Sequence, residues 1–155
     1  MPAYSRKIAF FTAAVFVVAP LHARAGMAQA PTVGALMSKA CPAANELGKE
    51  QERAQALADD SRFALAKKTA ALYYDCYQQL SDAYTRDWAH FQYLIYLSNS
   101  PPTTDNDKTI QVLTIVGDGA NQLAGSTQFT DVRKAALWLR DNVRNQVTHL
   151  ELTPQ

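Results

Sequence analysis

Two cysteines placed symmetrically about a polar break constrain the fold of this chain more than any other feature. Cys41 and Cys76 are its two cysteines, and their midpoint falls at Asp59-Asp60. In an antiparallel pair of helices, residues equidistant from the turn lie at the same height. The same register pairs Ala44 with Tyr73, an apolar residue with an apolar residue. The spacing therefore predicts a helical hairpin closed by a disulfide between Cys41 and Cys76.

Apolar residues recur three and four positions apart beyond residue 32, which is typical of amphipathic helices. The pattern covers four segments: 33–58, 61–97, 108–125 and 130–150. The second segment is compatible with one long helix or two, and we favour two because Ser81-Asp82 can cap a new helix. No run alternates with a period of two over the length of a strand. The sequence predicts an all-α antiparallel bundle of four or five helices, with residues 26–155 as a single domain.

Proline and capping residues predict where the helices begin. Pro42 lies either at the first position of a helix that Cys41 caps, or at the end of the first turn of a helix that Ser38 caps. The other candidate caps are Asp59, Asp60 or Ser61; Asp105 or Asp107; and Thr130 or Asp131. Gly117-Asp118-Gly119 lies inside a helical pattern and predicts a kink or an interruption there.

An uncharged apolar run near the N-terminus predicts that the chain is exported. A basic pair precedes 14 uncharged residues, 8–21, which span about 21 Å as a helix against ~30 Å for a bilayer core. The run is short for a membrane anchor and typical of a signal peptide. Small residues at the spacing that signal peptidase requires predict a signal peptide of residues 1–25. Cleavage after residue 30 fits the same spacing but is disfavoured by Pro31.

Export determines the expected compartment and the expected state of the cysteines. The expected location is secreted or periplasmic. Thiols are oxidised in such compartments, so a disulfide is favoured over two free, buried cysteines. Beyond the signal, 12 basic and 14 acidic residues give a net charge of −2, and the charges are interspersed. We expect no nucleic-acid partner because no basic stripe is visible. We expect no stable membrane insertion of the mature chain because no later segment reaches 18 apolar residues.

The residue patterns of common catalytic sites are missing from the sequence. No Gly-x-Ser-x-Gly, Cys-x-x-Cys or haem-attachment pattern occurs. Asp87 and His90 lie three apart on a predicted helix, but no third ligand follows at a suitable spacing, so a local polar contact is expected instead of a metal site. Glu46, Glu50 and Glu52 are typical of a solvated helix face. The sequence therefore predicts no catalytic residue, no cofactor and no metal.

Aromatic residues are crowded between residues 63 and 96. Nine of the eleven aromatic residues beyond the signal lie there. Successive residues of a helix point about 100° apart, so one buried stripe cannot hold them all. Tyrosine and tryptophan are enriched at recognition surfaces. The candidate binding surface consists of Tyr74, Tyr84, Trp88, His90, Tyr93 and Tyr96. The alternative is a tyrosine-rich helix buried between two neighbours.

Two functional hypotheses follow from these patterns. The leading one is an exported, non-enzymatic helical protein that binds another exported protein or has a structural role, because no catalytic constellation is present. The alternative is a small ligand-binding protein or enzyme with a pocket lined by the aromatic residues of segment 84–96. An exposed patch at Tyr74, Tyr93 and Tyr96 would support the first hypothesis. A deep cavity faced by His90 would support the second. The sequence leaves the oligomeric state open.

Overall fold

The described part of the chain, residues 32–101 and 104–153 in a computed structural model, consists of helices and their connections. Its six helices are α1 (Val33–Ala40), α2 (Pro42–Ala56), α3 (Ser61–Gln79), α4 (Ala83–Ser98), α5 (Asn106–Ser126) and α6 (Thr130–Glu151). The all-α prediction is confirmed, and the number of helices is six instead of four or five. The predicted signal peptide, residues 1–25, lies outside the described residues.

A proline divides the first helical segment in two. Thr32 caps α1 by accepting a hydrogen bond from the Ala35 N–H at 3.1 Å. Cys41 follows α1 and precedes α2, whose first residue is Pro42. Proline lacks an N–H, so it suits the first position of a helix but interrupts one already under way. Of the two predicted arrangements, the one with Cys41 ahead of Pro42 is confirmed, and the extra break accounts for the sixth helix.

The connection between α2 and α3 is a tight turn at the predicted break. The Asp59 N–H donates to the Ala54 carbonyl at 2.9 Å, and the Ala58 N–H donates to the Gln55 carbonyl at 3.1 Å. This pair of bonds is a Schellman motif, whose turning residue adopts a left-handed conformation. Ala58 occupies that position with φ of 55°. Asp59 then accepts from the Ser61 N–H at 2.9 Å and helps α3 to begin.

Two aspartates cap α4 and α5. Asp82 accepts from the Thr85 N–H at 2.9 Å, which confirms that segment 61–97 contains two helices. Asp105 accepts from the Lys108 N–H at 3.0 Å at the start of α5. Both carboxylates satisfy an N–H that has no partner within its helix, and their charge is favourable at a helix N-terminus.

The start of α6 differs from the prediction. Neither Thr130 nor Asp131 caps this helix, since Phe129 precedes it and provides no side-chain bond. Thr127 Oγ1 instead accepts from the Phe129 N–H at 3.2 Å. The Asp131 carboxylate makes two hydrogen bonds: Oδ1 accepts from the Val132 N–H at 2.9 Å, and Oδ2 accepts from the Tyr84 hydroxyl of α4 at 2.6 Å. The side chain that the local pattern assigned to a cap is therefore shared between the first turn of α6 and a tertiary contact with α4.

Helix α5 runs without interruption through Gly117 and Gly119, so the predicted interruption is wrong. A Cβ at Gly117 would lie 3.2 Å from a methyl group of Val143, and one at Gly119 would lie 2.9 Å from a methyl group of Leu94. The two glycines therefore allow α6 and α4 to approach α5 closely. Packing between helices therefore accounts for both glycines.

Consecutive helices contact each other, and α4 also contacts α1 and α6. A Cβ at Gly48 would lie 3.5 Å from the methyl group of Thr69. These two residues are equidistant from the turn, as Cys41 and Cys76 are, so the predicted register of α2 on α3 is confirmed. The largest apolar residues of the core come mainly from α4, α5 and α6: Phe91, Leu94, Leu113, Val116, Leu123, Val132, Leu139 and Val143.

None of the helices within the described ranges has the length and apolar character needed to cross a lipid bilayer.

Candidate functional site

The two cysteines meet as predicted. Their Cα atoms lie 5.9 Å apart and the sulfurs are disulfide-bonded, within the usual range for this bond. Cys41 is buried at the junction of α1 and α2, and Cys76 lies in the last turn of α3. The bond therefore ties the N-terminal helices to the C-terminal end of α3.

The six residues of the predicted binding surface lie in three separate places. Tyr74, His90 and Tyr93 join Tyr77 in one group of contacting rings, which we call the outer aromatic cluster. Tyr96 stacks on Tyr73 in the interior. Tyr84 and Trp88 contact each other and neighbouring rings near the start of α6. The residues were predicted to share one surface, and of the six only Tyr74, in the first group, is exposed.

The outer aromatic cluster forms where α3 and α4 run side by side. Tyr77 stacks on His90 with ring centres 4.5 Å apart and planes 15° apart. Tyr74 contacts Tyr77 and Tyr93 edge-to-face, at 5.4 Å and 5.3 Å between ring centres. Each helix contributes two rings three residues apart, so both rings lie on the same face of their helix. Tyr74 is 43% exposed, and the other three are partly buried.

Burial favours the uncharged forms of three rings in the outer aromatic cluster, those of Tyr77, His90 and Tyr93. It raises the pKa of Tyr77 and of Tyr93, so both hydroxyls stay protonated. It lowers the pKa of His90, and the nearby Asp87 carboxylate only partly opposes this effect. His90 is therefore a neutral ring at pH 7. Asp87 accepts a hydrogen bond from the Thr127 hydroxyl at 2.7 Å, so the polar contact expected between Asp87 and His90 is replaced by one to the α5–α6 turn.

The buried pair of Tyr73 and Tyr96 occupies the interface of α2, α3 and α4. Their rings stack at 5.6 Å between centres with planes 11° apart, and both side chains are buried. The Tyr96 hydroxyl donates to Glu52 Oε1 at 3.4 Å. Burial raises the pKa of Glu52, with the Tyr96 hydrogen bond opposing it. Glu52 was predicted to lie on a solvated face, but it turns partly inward because its position on α2 meets Tyr96.

A glycine that sequence reasoning missed makes room for Tyr96. A Cβ at Gly48 would lie 2.8 Å from Tyr96 Cζ, closer than real Cβ atoms approach a neighbour. Gly48 is buried in the middle of α2. A glycine inside an otherwise helical segment without a nearby helix end indicates such a close approach. That signal was present in the sequence, but it does not reveal which side chain approaches.

Tyr84 and Trp88 link α4 to the start of α6. The Tyr84 hydroxyl donates to Asp131 Oδ2 at 2.6 Å, and its ring contacts Phe129 edge-to-face at 5.0 Å between centres. Trp88 is buried, with its ring 5.5 Å from that of Phe91. These contacts hold helices together. The aromatic residues of segment 84–96 lie in separate groups of contacts: Tyr84 with Trp88, His90 with Tyr77, and Tyr96 with Tyr73.

Among residues 32–101 and 104–153, no three His, Cys, Asp or Glu side chains come together in a group that could hold a metal ion. No known protein family, no curated protein and no solved structure matches this chain. Any function must therefore be argued from the residues themselves, and the outer aromatic cluster is the feature best placed to contact another molecule.

Proposed function

We propose that this chain is an exported, non-enzymatic binding protein whose outer aromatic cluster contacts another exported protein. The observation that carries the proposal is that Tyr74, Tyr77, His90 and Tyr93 contact one another on the outside of α3 and α4, with Tyr74 43% exposed. A monomer gains little from leaving a ring of that size in water. A partner that covers it gains apolar burial and hydrogen bonds to phenolic hydroxyls.

The cluster is suited to binding because its rings hold each other in place. Contacts between aromatic rings contribute about 0.5–1.5 kcal/mol each beyond the area they bury, so the rings have restricted freedom before any partner arrives. A partner then loses less binding free energy to ordering side chains. Burial also favours the neutral forms of Tyr77, His90 and Tyr93 by shifting the pKa of each, which favours a partner segment that is itself apolar or aromatic over a strongly charged one.

Export is supported by the predicted signal peptide and by the pairing of Cys41 with Cys76, since disulfides persist in oxidising compartments. N-terminal sequencing of the protein recovered from periplasm or culture medium tests this part. The expected first residue is Gly26. Recovery from the cytosol with Met1 retained and both thiols reduced would contradict it.

Site-specific photo-crosslinking tests the binding part. A photoreactive phenylalanine analogue at position 74 is expected to crosslink one exported protein in intact cells. The same analogue at Ile115, an exposed apolar position on α5, serves as the matched control and is expected to give no such product. The crosslinked protein is then purified for affinity measurements.

Affinity for that purified protein should fall about tenfold or more in Tyr74→Ala and in Tyr93→Ala, which corresponds to about 1.4 kcal/mol or more. Ile115→Ala should leave it unchanged. Equal crosslinking at positions 74 and 115, or unchanged affinity in both tyrosine variants, would rule out the outer aromatic cluster as the binding surface.

A further inference from the structure

His90 occupies a position in the outer aromatic cluster that suits only its neutral form. Its ring stacks on Tyr77 at 4.5 Å and lies 6.2 Å from Tyr93, between centres. Within the described residues, no side chain accepts a hydrogen bond from either ring nitrogen. Protonation would add a second N–H donor and a full positive charge to a ring that is partly buried and stacked on Tyr77.

The groups facing His90 from each helix are few. Tyr77 stacks on it from α3, with Tyr74 beyond, and burial raises the pKa of Tyr77. On α4, Asp87 lies one turn away and is the charged group that acts on it. Oδ2 of that carboxylate accepts from the Thr127 hydroxyl of the α5–α6 turn at 2.7 Å, and Oδ1 lies 3.8 Å from Nε of Arg86. Burial outweighs the attraction of Asp87, so the described surroundings favour the neutral imidazole.

We propose that the outer aromatic cluster is an acid-sensitive binding surface, in which protonation of His90 separates it from Tyr77 and releases the bound partner. The release of a partner rests on the proposed function, whereas the separation of His90 from Tyr77 does not. An imidazolium gains by turning towards the Asp87 carboxylate or towards solvent, and either movement breaks the stack on Tyr77. The attraction between the cation and the phenol ring acts in the opposite direction. An exported protein is exposed to the pH of its surroundings, so acidification of those surroundings protonates His90.

An NMR titration of the full mature protein tests the ring movement without any partner. Between pH 8 and pH 4.5, His90 should titrate below 6.5, and its nuclear Overhauser effects to the Tyr77 ring should disappear over the same pH range. In His90→Phe the corresponding effects between the two rings should persist throughout. His149→Gln removes the other histidine beyond the predicted signal, in the last turn of α6, and should leave the response of His90 unchanged. Far-UV circular dichroism checks that all three proteins stay folded.

Stacking on Tyr77 that persists after His90 is protonated would overturn the inference, and so would an equal separation of the two rings at low pH in His90→Phe. Affinity for the crosslinked partner provides the second measurement. It should fall about tenfold or more from pH 7.5 to pH 5.0 in the wild type and in His149→Gln, but change less than about twofold in His90→Phe. Binding at Tyr74 that is independent of pH would refute the acid response and leave the proposed function intact. Binding that is insensitive to Tyr74→Ala would refute the proposed function, whatever the titration shows.

Discussion

The interface of α2 with α3 and the interface of α5 with α6 achieve helix packing in different ways. Small or polar residues line most of the first, with one tyrosine: Ala44, Gly48, Gln51 and Ala54 on α2, with Ala66, Thr69, Ala70 and Tyr73 on α3. Leucine and valine dominate the second: Leu113, Val116 and Leu123 on α5, with Val132, Leu139 and Val143 on α6. The first interface carries the disulfide, and the second has no covalent link.

The difference indicates that a crosslink can supply stability where few large apolar side chains are buried. Each fully buried leucine or valine stabilises a fold by about 1.5–3 kcal/mol, and α2 buries none. A disulfide that closes a separation of 35 residues contributes about 4 kcal/mol in the chain-entropy treatment. That amount is comparable to two buried leucines. We infer that α2 is held in place chiefly by the bond at one end and the turn at the other.

Buried polar atoms weaken the α2 interface further. Gln51 is 1% exposed, and its Oε1 has no hydrogen-bond partner among the described residues. Its amide nitrogen makes a long bond of 3.4 Å to Gln55. An unsatisfied buried acceptor costs about 1–3 kcal/mol. The comparison therefore predicts that α2 is the first helix to open when the fold is destabilised.

Removing the disulfide is the largest expected perturbation. The pair of substitutions Cys41→Ser and Cys76→Ser should lower the free energy of unfolding by about 4 kcal/mol, measured by urea denaturation. Hydrogen exchange should accelerate most in α1 and α2. A loss below about 1 kcal/mol, or equal acceleration in α5 and α6, would contradict the contrast between the two interfaces.

A cavity in the apolar interface should cost slightly less. Leu123→Ala is expected to lower the free energy of unfolding by about 3 kcal/mol, because Leu123 is buried among the core residues of α5 and α6. Leu47→Ala on α2 is the matched control and should cost about 1 kcal/mol, since Leu47 is only partly buried. Equal losses in urea denaturation would mean that α2 depends on apolar burial as much as α5 does.

A methyl group at Gly48 should interfere with the close approach of Tyr96. Gly48→Ala is expected to cost about 1 kcal/mol net, because overpacking against the ring exceeds the gain in helix propensity. Gly125→Ala lies near the end of α5 with nothing within 4 Å of its Cβ and should instead gain about 0.5 kcal/mol. Thermal unfolding monitored by circular dichroism measures both. A stabilising Gly48→Ala would show that Tyr96 moves aside freely.

The turn after α2 offers a stabilising change. Ala58 has φ of 55°, which a glycine adopts without steric conflict. Ala58→Gly should raise the free energy of unfolding by about 0.5 kcal/mol, after allowing for the greater freedom of glycine in the unfolded chain. Ala43→Gly, at an exposed position in the first turn of α2, is the control and should lower it. A loss of stability in Ala58→Gly would mean that the Schellman turn is strained elsewhere.

The smallest expected effect concerns pH. Because burial raises the pKa of Glu52 in the folded state, the native chain holds a proton there more tightly than the unfolded chain does. The contribution of Glu52 to stability therefore decreases as pH rises from the ordinary glutamate pKa of 4.5 through the higher pKa of the folded state. Glu52→Gln should be more stable than the wild type at pH 7, and the difference should vanish below pH 4.5.

Glu46 is the matched control for this pH dependence. Its hydrogen bond with Lys49, at 2.7 Å, lowers its pKa, so Glu46→Gln should have the opposite sign and lose a little stability at neutral pH. Denaturation curves between pH 4 and pH 7 measure both variants. If both variants changed the free energy of unfolding in the same direction at neutral pH, Glu52 would be solvated like Glu46.

The sequence by itself determined the helical class, most helix boundaries and the cysteine pairing. These features depend on short-range physics: apolar spacing, a proline at a helix start, and aspartates such as Asp82 and Asp105 that satisfy nearby N–H groups. The register of α2 on α3 also followed, because a hairpin with a known turn has one antiparallel alignment. The left-handed residue of the turn is Ala58. No glycine stands at that position to indicate the turn in the sequence.

Only the tertiary structure decided which aromatic residues are exposed. Tyr74 and Tyr96 both lie in the aromatic-rich part of the sequence. Yet Tyr74 reaches solvent, and Tyr96 is buried against Gly48. Glu52 turned inward to Tyr96, and Asp131 accepts a hydrogen bond from Tyr84 in addition to the one from the Val132 N–H. Each of these side chains meets a residue from a distant part of the chain. Local periodicity identifies the face that a side chain occupies, but which helix covers that face depends on the packing of the whole molecule.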